Sequence, residues 1–252
     1  ARTLLKNKLI SKIIIQKREK FTPDFPKGLD LNSIKLFQKH FEKRDDEKKY
    51  FFSNNSLNLD NIDHLIIDKK ELCSDRVKEF IISSRSKLCV TFGCSLLDKN
   101  ILNLPVKFWN VHGGLTPQFR GTITHFWPSY FLMPQFTGYT LHEIDNNIDT
   151  GNVIHQTGAK LNRGDGLQML SSRTTKYFID QFVKILSTDV NFHKIPNGIK
   201  QKSIGKTWKN SDWHPCHLNL IYGLFDDKIV DLYLDKKLTD TKPKIISIFK
   251  KN

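Results

Sequence analysis

The stretch His64–Gly93, HLIIDKKELCSDRVKEFIISSRSKLCVTFG, decides the class of fold. HLIID (64–68) and KLCVTFG (87–93) are short apolar runs of strand type, and DRVKEFIISS (75–84) between them reads as a helix. Strand, helix and strand at these lengths make a crossover unit of a parallel sheet, so an α/β domain is expected. Ligands of such sheets sit beyond the carboxyl ends of the strands. Phe92-Gly93-Cys94-Ser95-Leu96-Leu97 lies at one such end.

Upstream, ARTLLKNK (1–8) reads as a helix from its first residue, with Leu4, Leu5 and Leu9 able to line one face. SKIIIQK (11–17) is a further strand, and FTPDFPKGLDLN (21–32) is a loop with two prolines and a glycine. Asn32–Phe52 reads as a polar, solvated helix carrying Ile34, Phe37, Phe41 and Tyr50 as its apolar positions.

Downstream, KFWNVHGG (107–114) is an apolar run that delivers Asn110 and His112 just before a glycine pair. Residues two apart in a strand project to the same side, so these two side chains point together where the strand ends. LTPQFRG (115–121) follows as a loop, then GYTLHEI (138–144), the turn DNNIDTGN (145–152) and VIHQ (153–156). The runs flanking the turn read as strands, and Asp145, Asn146, Asn147 and Gly151 are turn formers. Asp149 sits inside that turn. Taken singly, each of Asn110, His112 and Asp149 has an ordinary reading as a turn or structural residue; together, an amide, an imidazole and a carboxylate form a candidate catalytic set. Farther on, Leu167, Leu170, Thr174, Tyr177, Phe178 and Phe182 recur at helical spacing, giving one long core-facing helix. In the final stretch Trp208, Trp213 and His217 lie close together, HLNLIYGLF (217–225) reads as a short helix and KIVDLYL (228–234) as a strand.

At 252 residues the chain is one large domain, or a domain with an appendage. Its 18 Phe supply bulky core material, and no apolar run approaches the roughly 20 residues that span a bilayer. Cys73, Cys89, Cys94 and Cys216 lack CxxC spacing, so no zinc site is expected. Unpaired cysteines and the scattered charges of the first residues favour a reducing cytoplasm. The formal charge of +14 raises nucleic acid as a partner, yet the lysines are spread and no aromatic-interleaved RNA-binding motif appears. An anionic substrate suits the same charge.

Four segments carry a resemblance: Asn110-Val-His112; Leu115-Thr-Pro117-Gln-Phe-Arg120-Gly121; Thr137-Gly138-Tyr-Thr140-Leu-His142; and Ile148-Asp149-Thr-Gly151. In this order and at similar spacing they resemble the formyltransferases that use a formyl-tetrahydrofolate donor. Gly113-Gly114-Leu115-Thr116 departs from the pattern, where many relatives have a small residue and then Ser-Leu-Leu. The resemblance implies a Rossmann-like, mostly parallel sheet, a catalytic domain over 1–190 and a small C-terminal extension over 191–252. It implies Asn110, His112 and Asp149 as catalytic, and Phe92, Gly93, Cys94, Ser95, Leu96, Asp145 and Ile148 as holding the co-substrate 10-formyltetrahydrofolate, without a metal. Arg120, His125 and Trp127 are the residues offered to an anionic, ring-bearing acceptor. Among acceptors, a nucleotide-linked amino sugar fits best; the tail is short for the tRNA-contacting domain of methionyl-tRNA formyltransferases, the second choice, and glycinamide ribonucleotide is third. A catalytically silent basic binding module is the reading from another class. Families of this fold open on a buried central strand, whereas this chain opens in a helix at Ala1. The expectation is therefore an N-terminal fragment with a gap between SKIIIQK and KLCVTFG, or else Pro243–Phe249 swung in to fill it.

Overall fold

The computed structural model describes residues 1–17, 23–53, 58–202 and 205–249; residues 21 and 22 of the loop expected over 21–32 lie outside it. A short helix α1 (Arg2–Lys6) leads into strand β1 (Lys12–Gln16), and helix α2 (Leu31–Phe52) follows. Asp30 caps α2 by accepting the Ser33 N–H at 2.9 Å, satisfying one of the donors that a helix start leaves open. Strand β2 (Asp63–Ile67), helix α3 (Asp75–Ser83), strand β3 (Leu88–Phe92), the single turn α4 (Lys99–Leu102) and strand β4 (Lys107–His112) continue the expected alternation. The two-residue strand β5 (Arg120–Gly121) and helix α5 (Trp127–Tyr130) separate β4 from β6 (Gly138–Glu143) and β7 (Val153–Gly158). Helix α6 (Leu167–Lys184), strand β8 (Thr207–Trp208) and helix α7 (Ile229–Leu234) complete the order.

Strands β1 and β2 pair in parallel, as do β3 and β4, while β6 turns back antiparallel on β4 and β7 on β6. Among the described residues no strand ladder joins β1 to β3, so the sheet lies in two parts. Side chains bridge the parts at both ends of the facing strands: Ser11 Oγ meets Ser86 Oγ at 2.8 Å, and Gln16 Oε1 accepts the Ser95 N–H at 3.0 Å. The break falls between the two strands expected to border one. The C-terminal run does not fill it, which overturns that alternative. Ile246 O accepts from Gln156 N at 2.7 Å and Ile248 N donates to Ile154 O at 3.0 Å, so the segment follows the free edge of β7.

Strand β4 divides its side chains as the pleat requires. Trp109 and Val111 join Tyr139, Leu141 and Ile154 beneath Phe178 and Phe182 of α6, while Phe108 packs with Leu65, Ile67, Val77 and Ile81 on the α3 side. Helix α2 is less solvated than its composition suggests: Ser33, Phe37 and His40 form a buried stripe. Phe37 shares a core with Phe126 and Trp127 and with Leu218, Ile221 and Ile229 of the C-terminal stretch.

KIVDLYL is a correction: the expected strand is helix α7. Ile229 and Val230 are both buried although adjacent, which a helix face permits and a strand's alternation does not. A short apolar run lacks the period that would tell the two apart. No helix among the described residues is long and apolar enough to cross a membrane.

Candidate active site

Asn110 and His112 leave the same face of β4, and pairing with β6 sets Asn110 opposite His142 and His112 opposite Thr140. Asp149 arrives from the turn before β7. Asp145 builds that turn, accepting the Asn147 N–H at 3.0 Å and the Thr150 hydroxyl at 2.7 Å. Asp149 Oδ2 lies 3.3 Å from His112 Nδ1 and accepts the Gly121 N–H at 2.8 Å. Its Oδ1 accepts from Asn110 Nδ2 at 3.3 Å and lies 3.4 Å from His142 Nε2. The three residues singled out in the sequence therefore converge on one point, together with His142.

Each orientation has a cause. Thr91 donates its hydroxyl to Asn110 Oδ1 at 2.8 Å, which turns the Asn110 amide nitrogen toward Asp149 and His142. His112 Nε2 contacts Phe119 O at 2.8 Å and His142 Nδ1 contacts Glu143 O at 2.6 Å. Two glycines make these approaches possible. A Cβ at Gly114 would stand 2.4 Å from Phe119 O and 2.6 Å from His112 Nε2, and one at Gly151 only 1.8 Å from Glu143 O. From the C-terminal stretch, Gln201 Nε2 donates to Asp149 O at 3.0 Å and Gly151 O at 2.7 Å, tying down the turn.

The electrostatics follow from this packing. Burial lowers the His112 pKa, opposed by the Asp149 charge and the Phe119 carbonyl. Burial works to raise the Asp149 pKa, but hydrogen bonding from His142, the His112 charge and the Gly121 N–H outweigh it and hold the carboxyl below its usual value. Both ring nitrogens of His112 face acceptors, Phe119 O and Asp149 Oδ2. A neutral ring can satisfy one of them, and a protonated ring satisfies both. Such an imidazole is built to receive a proton.

Phe92 pairs with Val111 across β3 and β4, placing the Phe92–Leu97 loop beside the end of β4. Phe92 is 63% exposed, Leu96 73% and Ile148 41%, an apolar surface bordering the polar cluster. Gly93 turns the chain with φ of 59°. Cys94 packs toward the α3 core, and Ser95 is engaged with Gln16. The carboxylate of Asp145 is used within its own turn.

The residues offered to the acceptor, Arg120, His125 and Trp127, are engaged inside the protein. Trp127 is 1% exposed, stacked on Trp208 with ring centroids 4.2 Å apart, because the β5–β8 pairing brings the C-terminal stretch over it. His125 meets Ser171 Oγ at 2.7 Å and Gly138 O at 2.9 Å, so both of its ring nitrogens are engaged inside the protein. Arg120 is buried and donates to Gly205 O at 2.9 Å. Sequence reasoning gave no role to His142, although it stands in the quoted Thr137–His142 segment. Its period-two relation to Thr140 was the local signal, while its facing of Asn110 follows from the register of β6 on β4. Thr91 and Gln201 left no local trace. Among the described residues no group of three or more His, Cys, Asp or Glu is arranged to hold a metal ion.

Residues 41–186 match the sequence model of a family described as Formyl transferase. The chain belongs to the formyl transferase family. It is similar to a methionyl-tRNA formyltransferase of Prochlorococcus marinus strain MIT 9515, with 27% identity over 195 residues, 75% of this chain and 54% of that protein. A second, from strain AS9601, is 32% identical over 152 residues, 58% of this chain and 42% of that protein. The chain thus spans about half the length of the curated relatives it matches. Among solved structures, it is similar in fold to the formyltransferase PseJ from Anoxybacillus kamchatkensis, with a TM-score of 0.51 and 19% identity. That match covers 88% of this chain and 97% of PseJ, which was solved with UDP-4,6-dideoxy-4-formamido-L-AltNAc and tetrahydrofolate.

Proposed function

We propose that this chain transfers a formyl group from 10-formyltetrahydrofolate to the amine of a nucleotide-linked sugar. The observation that carries the reading is the meeting of Asn110, His112, His142 and Asp149 within hydrogen-bonding reach at the end of β4. The exposed rim of Phe92, Leu96 and Ile148 fits a flat, ring-bearing donor. That donor supplies the activated formyl carbon. As the amine attacks this carbon, negative charge develops on the formyl oxygen and positive charge on the nitrogen. Asn110 has two amide protons, and redirecting one to the formyl oxygen stabilises the developing charge. His112 takes the amine proton, and Asp149 holds the resulting imidazolium by charge and position. The proton then passes to the donor nitrogen as its bond to the formyl carbon breaks and tetrahydrofolate leaves. To serve the substrate through Nε2, His112 must exchange Phe119 O for it.

The sugar acceptor is supported by the likeness in fold to PseJ, which was solved with a formamido sugar nucleotide. A methionyl-tRNA acceptor is the second reading, favoured by the names of the sequence relatives and by the charge of +14. One experiment separates them. The protein is incubated with 10-formyltetrahydrofolate and either a panel of nucleotide amino sugars or methionyl-tRNA, and products are read by mass spectrometry. A sugar nucleotide heavier by one formyl group is the expected result; formyl-methionine alone overturns the acceptor, and no formylated product in either arm overturns the reaction.

A further inference from the structure

A cavity of about 650 Å³ lies between the outer face of β7, helix α6 and residues 242–249. Its volume falls in the range of roughly 300–1,000 Å³ typical of small-molecule sites. None of Asn110, His112, His142, Asp149 or the Phe92–Leu97 loop lines it, so it is separate from the catalytic cluster. Lys160, Lys184 and Lys242 all line it, and none of the three makes an ion pair with a described residue. Asp189 is the one acidic side chain in the wall among the described residues. His155 adds no charge near neutrality, because burial brings its pKa down to about 4.

With three lysines and one aspartate the lining is net positive, which favours an anionic ligand. The rest of the lining is suited to an organic body. Tyr177 and Phe249 contribute ring surface, with Lys160 Nζ now resting 4.0 Å from the Tyr177 ring centroid. Gln135, 6% exposed, spends its amide nitrogen on Thr239 O and Thr241 O, at 3.2 and 2.8 Å, which anchors the segment entering the cavity wall. Its Oε1 is buried without a hydrogen-bond partner, although buried acceptors are normally paired.

We propose that this cavity is a second ligand site, taking a nucleoside monophosphate or a close analogue, with the phosphate among Lys160, Lys184 and Lys242 and the base against Tyr177. The proposal stands apart from the proposed reaction and is tested by binding alone. The full chain is titrated calorimetrically with AMP, UMP, ribose 5-phosphate and inorganic phosphate, for wild type and for the variant K184E/K242E. Both lysines are exposed, so the variant is expected to fold, and circular dichroism checks this. The expected result is saturable binding of a nucleoside monophosphate, weakened about tenfold or more by the double charge reversal, a loss on the order of the 1.4 kcal/mol that a factor of ten represents. Y177A should weaken the nucleotide while leaving the sugar phosphate unchanged. Absence of binding at millimolar ligand overturns the site, and so does equal binding by K184E/K242E, which would move the ligand elsewhere on the protein. Inorganic phosphate binding as tightly as the nucleotide overturns the assignment of the ligand.

Discussion

Asp149 touches both His112 and Asn110 directly, so the loss of any one of the three alters a partner as well as the chemistry. Asn110→Ala and His112→Ala are each expected to lower formyl transfer by about a hundredfold or more, the usual scale for removing an oxyanion donor or its proton acceptor. Asp149→Asn should do the same, since an amide cannot hold the imidazolium by charge. Near-normal turnover in any of these well-folded variants would show that its residue has another role. The pH profile carries a sign. The His112 pKa is depressed below its ordinary value of 6.5, so the neutral, proton-accepting form predominates at neutral pH. Turnover should therefore be flat around neutrality and fall only on the acid side, with its midpoint below 6.5. A midpoint above that value refutes the assignment of His112 as the base.

The turn that presents Asp149 is held by elements distant in sequence. Gln201 reaches two of its carbonyls, and Ile199 exchanges a pair of 2.8 Å backbone hydrogen bonds with Val153 immediately after it. Gln201→Ala strands two acceptors, a loss of about 1–3 kcal/mol if water does not replace the amide. Amide exchange at Thr150 and Gly151 should accelerate in this variant, and turnover should fall while the strand ladder of β6 and β7 keeps its protection. Unchanged exchange would mean that the turn holds itself. Gly151→Ala acts on the same turn by another route, because its Cβ would collide with backbone rather than with a movable side chain. Helix α2 offers a contrasting case. Phe37 joins it to Phe126 and to the C-terminal core, so Phe37→Ala should cost about 3–5 kcal/mol by urea unfolding. A cost under about 1 kcal/mol would show that this core can collapse around the missing ring.

Over the whole molecule, buried histidines set the response to acid. Burial brings the pKa of His40, His125 and His155 down to about 4 each. Between about 4 and the ordinary 6.5 the unfolded chain binds protons that the folded chain refuses, so stability falls as pH drops through that window. Each fully titrating histidine contributes a slope of about 1.4 kcal/mol per pH unit. Urea midpoints measured at pH 7 and pH 5, about one and a half units into the window, should therefore fall together with the pH. His125→Gln should make the fall shallower, and a profile flat over this range refutes the account. The split sheet is also a property at this scale. Among the described residues β1 and β3 are linked through the side chains of Ser11 and Gln16 rather than by a strand ladder, whereas β3, β4, β6 and β7 are joined by ladders.

The sequence by itself determined what depends on near neighbours. The alternation through His64–Gly93 specified the order of strand, helix and strand, β2, α3 and β3, though not their division between two sheets. The two-residue period of β4 was enough to aim Asn110 and His112 the same way. Asp145 and Gly151 marked the turn that carries Asp149 because turn chemistry is local. The long period of Leu167, Leu170, Phe178 and Phe182 specified α6 for the same reason. Tertiary structure decided the rest. Whether Trp127 meets a ligand or lies beneath Trp208 depends on where a segment some eighty positions later comes to rest. The helical state of Ile229–Leu234 depends on the core that buries two adjacent residues, and the path of residues 244–249 depends on which strand edge is open. His142 joined the cluster only through the register of β6 on β4. Periodicity records which side of an element is apolar; it holds no record of which distant surface that side will cover.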